Sequence, residues 1–253
     1  MASGQRSSLR QRGGRPATAR AAPVVRLQLL GGFELVSGRS LLSVPPHVQR
    51  LVAFLALQDR PLRRTYVSGR LWLDKTQDQA FGALRTTLWR LRRLPAPVVQ
   101  ATTTHLSLAP SVSVDARDFT VAAERFLHRR DCLDEDDVNR LAHASELLPD
   151  WYDDWVTQER DRIGQLRLLA LESACEELVA AARYSEAATA ALAAVATDPL
   201  RESARRLLIS TYLGTGNDAE ALRQYVDFRT RLERELGLKP SFRMLELARA
   251  FSR

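Results

Sequence analysis

A repeat with a period of 34 residues in the second half of the chain restricts the fold more than any other feature. Residues 168–201 align with residues 202–235, so that Ala187 coincides with Ala221. In both copies a turn of small residues separates two segments rich in helix-forming residues. This is the pattern of tetratricopeptide repeats, whose helical pairs bury their apolar faces only against neighbouring pairs.

The chain is predicted to be helical from Asp115 onward, with Asp115 as the cap of the first helix. The segments 119–147 and 155–167 are predicted to add helices to the repeat stack. The aromatic residues of "DWYDDW" (150–155) are expected to pack between these helices. The acidic stretch 131–138 lacks the spacing of a calcium loop and is expected to cap a helix.

The sequence of the first half predicts a different architecture, in which strands flank three helices. Residues 24–44 alternate as short strands, a helix begins at Pro46, and a second helix follows a cap at Thr65. A third helix is predicted over 76–93 and a β-hairpin over 98–108. This order is that of a winged helix-turn-helix, in which the last helix reads a DNA groove and the hairpin contacts the backbone.

These patterns predict a mostly α fold with a small β component. A winged helix-turn-helix domain spans residues 24–112, and an all-α tetratricopeptide-like domain spans residues 113–253. Residues 1–23 contain five arginines and no acid, and we expect them to form a disordered basic tail.

The charge is unevenly distributed between these halves. Residues 1–112 hold 17 basic and 4 acidic residues, net +13, whereas residues 113–253 are net −6. Without residues 1–23, the net charge of the first half is still +8. A basic domain joined to an acidic one suggests that the first binds a polyanion.

The third predicted helix carries the candidate contacts. Phe81, Leu84, Leu88 and Leu91 fall within an arc of about 80° that is expected to face the core. No acid lies between Gln79 and Arg93, so the arginines lack partners along the helix. The candidate DNA contacts on this helix are Gln79, Arg85, Thr86, Thr87, Arg90, Arg92 and Arg93. Arginines on an ordinary solvated surface remain the alternative interpretation.

Other classes of function find little support in the sequence. Cys132 and Cys175 are far apart and suit a reducing cytoplasm rather than a disulfide framework. The four histidines are scattered, and we find no catalytic set, metal spacing, P-loop or apolar run long enough for a membrane span. We therefore expect neither an enzyme nor a bound cofactor or metal.

The assembled motifs resemble those of the small antibiotic regulatory proteins (SARP type) of actinobacteria. The resemblance rests on "VRLQLLGGFEL", "LWRLRRL", "VDARDF", "LLPDWYDDWVTQERDRIGQLRLLALE" and the long stretch "DPLRESARRLLISTYLGTGNDAEALRQYVDFRTRLERELGLKPS", in this order. It covers about residues 24–250. It implies an OmpR-type winged helix followed by a bacterial transcriptional activation domain.

The resemblance also implies roles for individual residues. Arg90, Arg92 and Arg93 match basic positions that face DNA, and the hairpin 98–108 matches the wing. A glycine-aromatic turn is usual at the wing tip, but this chain has "TTTH", with Thr104 and His105 as candidate phosphate contacts. Trp72 matches a family tryptophan that is expected to pack in the core.

The expected function is activation of transcription, in an antibiotic or other secondary-metabolite cluster. The expected partners are promoter DNA with direct repeats, the RNA polymerase holoenzyme and a second copy of the chain on DNA. The expected location is the cytoplasm, on the nucleoid, without membrane contact. Two alternatives remain: a tetratricopeptide adaptor whose basic half binds an acidic protein or RNA, and a sensor that closes on a small ligand.

Overall fold

The computed structural model describes residues 25–128 and 135–249. Residues 1–23, which are expected to be disordered, and residues 131–134 of the acidic stretch 131–138 lie outside the described residues.

The first half contains two small sheets and three helices. Its elements are β1 (Val25–Gln28), β2 (Glu34–Ser37), β3 (Ser40–Leu41), α1 (Pro46–Ala56), β4 (Leu62–Arg63), α2 (Arg64–Leu71), α3 (Gln77–Leu91), β5 (Val99–Ala101), β6 (His105–Leu108) and β7 (Val112–Val114). The second half continues with α4 (Asp115–His128), α5 (Glu135–Ala142), α6 (Asp154–Ala180), α7 (Tyr184–Thr197), α8 (Glu202–Gly214), α9 (Asp218–Leu236) and α10 (Phe242–Ala248).

The first sheet has the strand order β3-β2-β1-β7. Along β1 the side chains of Val25 and Leu27 are buried while Arg26 and Gln28 are exposed, as the alternation predicts. The sequence did not reveal β7, which pairs in parallel with β1 and brings Val112 beside Val25. The predicted domain boundary after residue 112 therefore falls inside a strand of the first sheet.

The second sheet forms the wing, with the order β4-β6-β5. The hairpin of β5 and β6 lies within the predicted residues 98–108. β4 was not predicted, because two residues are too few to show an alternating pattern. It pairs antiparallel with β6, so that Leu62 lies opposite Leu106 and Arg63 opposite His105.

The predicted helices of the first half are present, with small shifts at their ends. α1 begins at Pro46 and buries Val48, Leu51, Val52 and Leu55 on the predicted face. α2 begins at Arg64 rather than after a cap at Thr65. Trp72 follows α2 and is buried in the core, as expected.

The repeats form the predicted helical pairs α6–α7 and α8–α9. Ala187 and Ala221 occupy equivalent buried positions, where a small side chain lets neighbouring helices approach closely. The helix predicted over 155–167 is not separate, because α6 runs without a break from Asp154 to Ala180. The segment 119–147 contains α4 and α5, and α5 ends at Ala142.

Main-chain hydrogen bonds join the two halves. The amide of Leu148 donates to the carbonyl of Leu29 over 2.9 Å, and the amide of Gly31 donates to the carbonyl of Glu146 over 2.8 Å. The loop between α5 and α6 therefore pairs with the residues that follow β1.

Side chains from the start of α4 reinforce this junction. Asp115 is the first residue of α4, and its carboxylate accepts hydrogen bonds from the amides of Leu29 and Leu30 at 2.8 and 3.0 Å. Two residues later, the guanidinium of Arg117 donates to the carbonyl of Ala56 at the end of α1 over 2.7 Å. The helix C-terminus of the first half is thus capped by a cation from the second.

An aromatic chain crosses the same junction. The rings of Phe33 and Trp151 are stacked with centroids 6.1 Å apart, and Trp155 meets Phe54 edge-on at 5.1 Å. Tyr152 is 88% exposed, so its expected packing between helices is wrong. Trp151 and Trp155 are packed, but their aromatic partners Phe33 and Phe54 belong to the first half of the chain.

One apolar core runs through both halves. Its buried residues range from Val25 in β1 to Leu208 in α8, whereas Ile209 and the buried residues of α9 and α10 form a second cluster. An ion pair between Arg50 of α1 and Asp153, just before α6, lies beside this core. The winged helix and the helices from α4 to α8 therefore share one core.

Candidate nucleic-acid interface

Local sequence fixes both ends of α3. Thr76 precedes the helix as its N-cap, and its amide donates to the Oε1 of Gln79 over 3.2 Å, in the arrangement of a capping box. The helix ends at Leu91, four residues before Pro95. Gln79, a predicted adenine contact, is exposed, but its carbonyl oxygen is already used in this cap.

The buried face of α3 differs from the predicted one at three positions, since Ala80 is also buried. Leu84, Leu88 and Leu91 are buried as expected, whereas Phe81 is only half-buried. Thr87 is fully buried, and its hydroxyl donates to the carbonyl of Ala83 over 2.8 Å. The prediction that Thr87 contacts DNA is therefore wrong, because this side chain lies in the core.

The opposite face of α3 is cationic. Arg85, Arg90, Arg92 and Arg93 are exposed, and within residues 25–128 and 135–249 no ion pair joins any of them to an acid. Thr86 is exposed between them, and its hydroxyl donates to the carbonyl of Gly82 over 3.1 Å. The hydroxyl proton of Thr86 is thus used within the helix, and its methyl group and the lone pairs of its hydroxyl oxygen remain for a partner.

An exposed tryptophan lies among these arginines. Trp89 is 52% exposed, and the guanidinium carbon of Arg93 is 3.6 Å from the ring centroid. The sequence pattern of the helix did not indicate this stack. An exposed aromatic side chain of this size beside cations makes Trp89 a candidate member of the site.

A recess of about 380 Å³ separates the C-terminal half of α3 from the loop before α1. Ser43 and Pro45 line one side of it, and Arg90 and Arg93 line the other. Partial burial, with the nearby charge of Arg90, lowers the pKa of His47 at the start of α1. The positive potential of α3 therefore extends to the N-terminus of α1.

The wing tip is a tight turn closed by threonine. The amide of His105 donates to the hydroxyl of Thr102 over 2.9 Å, and Nδ1 of His105 lies 2.9 Å from the hydroxyl of Thr104. Thr104 is exposed and His105 half-buried. Both predicted wing contacts are therefore at the tip, but neither supplies a permanent charge.

The helical half offers a cleft rather than a cluster of reactive groups. The cleft, of about 690 Å³, lies between α6 and the end of β1 and is lined by residues such as Leu30, Phe119, Arg160 and Arg167. Burial lowers the pKa of Arg167, whose Nε donates to the carbonyl of Leu141 over 2.9 Å. No group of metal-ligating side chains and no helix apolar enough to span a membrane occurs in the described residues.

Comparison with known proteins assigns the helical half to a family. Residues 122–251, just over half of the chain, match the family described as "Bacterial transcriptional activator domain". Regulatory protein AfsR of Streptomyces coelicolor is 30% identical, over 98% of this chain and 26% of the relative. The protein of the same name from Streptomyces griseus is 28% identical, over 92% of this chain and 24% of the relative. The chain thus spans about a quarter of the length of these relatives.

A solved structure has the same fold. EmbR of Mycobacterium tuberculosis, determined in complex with a low affinity phosphopeptide, superposes with a TM-score of 0.72 at 21% identity. The match covers 91% of this chain and 65% of EmbR. It confirms the predicted fold class, a winged helix-turn-helix followed by an all-α domain. This chain resembles AfsR over nearly all of its own residues, and more than half of it matches the family domain. It therefore belongs to the SARP-type transcriptional regulators that carry a bacterial transcriptional activator domain.

Proposed function

We propose that this regulator activates transcription by binding promoter DNA sequence-specifically, with α3 in the major groove. The observation that carries the proposal is the exposed face of α3, where four arginines have no acidic partner within the described residues. A surface that leaves its cations unpaired is suited to a polyanion, and an α-helix fits the major groove.

The chemistry of this face suits base recognition. Arg90 lies on the same side of α3 as Thr86, one turn further along. Arginine pairs with the O6 and N7 atoms of guanine, and a threonine methyl contacts the methyl of thymine. Arg92 and Arg93, at the C-terminal end of α3, are assigned to phosphates. The side-chain NH2 group of Gln79 can donate to the N7 atom of adenine while its oxygen still accepts from the amide of Thr76.

We assign the contact with RNA polymerase to the helical half. Residues 113–253 carry net −6, so phosphate would repel them, and the RNA polymerase holoenzyme is the partner that an activator must engage. Two copies are expected on direct repeats, with both recognition helices on one side of the duplex. The resemblance to SARP-type regulators supports a secondary-metabolite gene cluster as the target.

Substitution of Arg90 tests the assignment of α3. Arg90→Ala should lower affinity for the preferred sequence by about 1–3 kcal/mol and relax specificity at one base pair. Arg39→Ala, which removes an exposed arginine from the turn between β2 and β3, is the matched control. Equal loss for all sequences would make Arg90 a phosphate contact, and unchanged binding would show that α3 does not enter the groove.

Two further measurements address the rival functions and the paired arrangement. Titration with duplex DNA and with RNA separates the activator from an adaptor, since an adaptor would show no preferred promoter sequence.

Inserting about five base pairs between the direct repeats rotates one site by half a turn of the ~10.5-base-pair helix. Undiminished transcription after the insertion would disprove the same-face arrangement.

A further inference from the structure

We propose that Arg63 and Arg64 carry the contact between the wing and DNA, as the cations that hold phosphates flanking the site of α3. The proposal rests on the proposed DNA binding and adds to it a pair of residues outside both α3 and the hairpin. Neither residue was among the contacts predicted from the sequence.

The register of the wing sheet places Arg63 at the tip. Arg63 lies opposite His105, the last residue of the turn, while the next pair, Leu62 and Leu106, is fully buried. Since successive residues of a strand point to opposite faces, Arg63 and His105 project together from the outer face. Directly opposed side chains have Cβ atoms about 5 Å apart, so the two form one patch.

Arg64 is fixed to the same turn by its backbone. Its amide donates to the carbonyl of Thr104 over 2.9 Å, which ties the first residue of α2 to the wing tip. The side chain is half-buried, and its Nε is shielded from solvent and lacks a hydrogen-bond partner. Arg64 is therefore held next to the turn, and contact with a phosphate falls to the terminal nitrogens of its guanidinium rather than to Nε.

The patch is cationic and contains no acid. Arg63 and Arg64 form no ion pair among the residues that the structure describes, and the paired strand residues Gln100 and Ser107 extend the outer face with polar groups. The tip itself, Thr102 to His105, supplies hydroxyl groups and an imidazole but no permanent charge.

Phosphate is the partner that fits this arrangement. Most protein–DNA hydrogen bonds go to the backbone, and arginine together with threonine hydroxyls is well suited to make them. Because the turn is closed by the hydroxyl of Thr102, it is ordered before binding and loses little entropy there. The permanent charge absent from the tip is thus supplied by the neighbouring strand β4 and the start of α2.

The test measures DNA binding of the full chain with Arg63→Gln and Arg64→Gln at several salt concentrations. Each variant should reduce the slope of log K against log salt by about one and leave the preferred sequence unchanged. The advantage of wild type over the variant should therefore shrink about threefold between 50 and 200 mM salt. Arg39→Gln, which removes the same charge elsewhere, should leave the slope unaltered.

Charge-retaining variants separate phosphate contact from a structural role. Arg63→Lys should restore the slope, and thermal unfolding should show that the glutamine variants remain folded. Replacing single phosphates by neutral methylphosphonates should locate one position at which wild type loses affinity and Arg63→Gln does not.

The outcomes distinguish this proposal from the proposed function. If wild type binds a preferred sequence through Arg90 but Arg63→Gln and Arg64→Gln behave like Arg39→Gln, only the wing assignment is overturned. An altered base preference in either variant overturns the phosphate assignment in favour of groove reading. If wild type shows no preference for any duplex, the DNA-binding function fails and this inference fails with it.

Discussion

Single side chains decide what α3 presents to a partner. Thr86 and Thr87 are adjacent in sequence, yet a helical step of about 100° leaves Thr86 exposed and buries Thr87 completely. The same step places Trp89 outside the core, where its ring lies beneath the guanidinium of Arg93. A long arginine side chain is flexible in water, so this stack restricts Arg93 before any partner arrives.

We expect Trp89 to act on DNA through Arg93. Trp89→Ala and Arg93→Ala should each weaken DNA binding, and the double variant should lose less than their sum. The coupling should be about 0.5–1 kcal/mol, the usual strength of an exposed cation–π contact. Binding titrations in a double-mutant cycle measure it. Strictly additive losses would show that the ring does not position the guanidinium.

A second residue-scale prediction concerns the pH dependence of stability. Burial raises the pKa of the Cys175 thiol to about 11 from an ordinary value of 9.0. As pH rises, the unfolded chain loses this proton first, so the stability that the neutral thiol provides is lost between pH 9 and 11. At pH 10 the loss should be about 1 kcal/mol.

Denaturant unfolding of wild type and Cys175→Ala at pH 8 and pH 10 checks this expectation. The other ionisable groups titrate in both proteins, so their contributions to the change in unfolding free energy cancel in the comparison. Wild type should lose about 1 kcal/mol more than the variant over this interval. Equal losses would mean that the thiol ionises as readily in the folded chain as in the unfolded one.

At the scale of elements, the repeat pairs are held by close approach at small residues. Gly214 ends α8, and a Cβ built on it would overlap the ring of Tyr184 at the start of α7. Gly164, in the middle of α6, has open space around the equivalent atom. An added methyl group therefore has room at Gly164 but not at Gly214.

Alanine substitutions should have opposite effects at these glycines. Gly214→Ala should destabilise the fold by roughly 1–3 kcal/mol, since the ring of Tyr184 must move. Gly164→Ala should stabilise it by up to about 1 kcal/mol, because alanine favours helix and restricts the unfolded chain. Thermal and denaturant unfolding measure both, and stabilisation by Gly214→Ala would contradict the close approach.

The whole molecule depends on contacts that cross its sequence boundary. β7 completes the first sheet, Asp115 holds the amides that follow β1, and Arg117 caps α1. Apart from Val112, the first residue of β7, these groups lie beyond residue 112, where the charge and motif patterns place the end of the DNA-binding domain. The orientation of α3 relative to the repeats is therefore fixed by shared secondary structure rather than by a linker.

Fragments test this interdependence. A fragment of residues 24–112 should unfold at lower denaturant concentration than residues 24–128, because only the longer one keeps β7, Asp115 and Arg117. DNA affinity should follow the same order, and residues 113–253 alone should not bind DNA. Circular dichroism during urea titration, with binding to the preferred duplex, provides both readouts. Equal stability of the two fragments would show that the boundary contacts are dispensable.

The sequence by itself determined the local elements and the fold class. Periodic apolar residues set the helices, Thr76 and Pro46 marked helix starts, and a 34-residue repeat required stacked helical pairs. Charge counts and the unpaired arginines of α3 were also readable along the chain, since helix geometry alone turns them to one side.

Only the tertiary structure decided which of these residues are available and which act together. β4 and β7 are too short to be recognised without the strands that pair with them. The burial of Thr87, the stack of Arg93 on Trp89 and the placement of Arg63 at the wing tip depend on packing and strand register. The continuity of the core across residue 112 depends on contacts between residues distant in sequence, which no local pattern encodes.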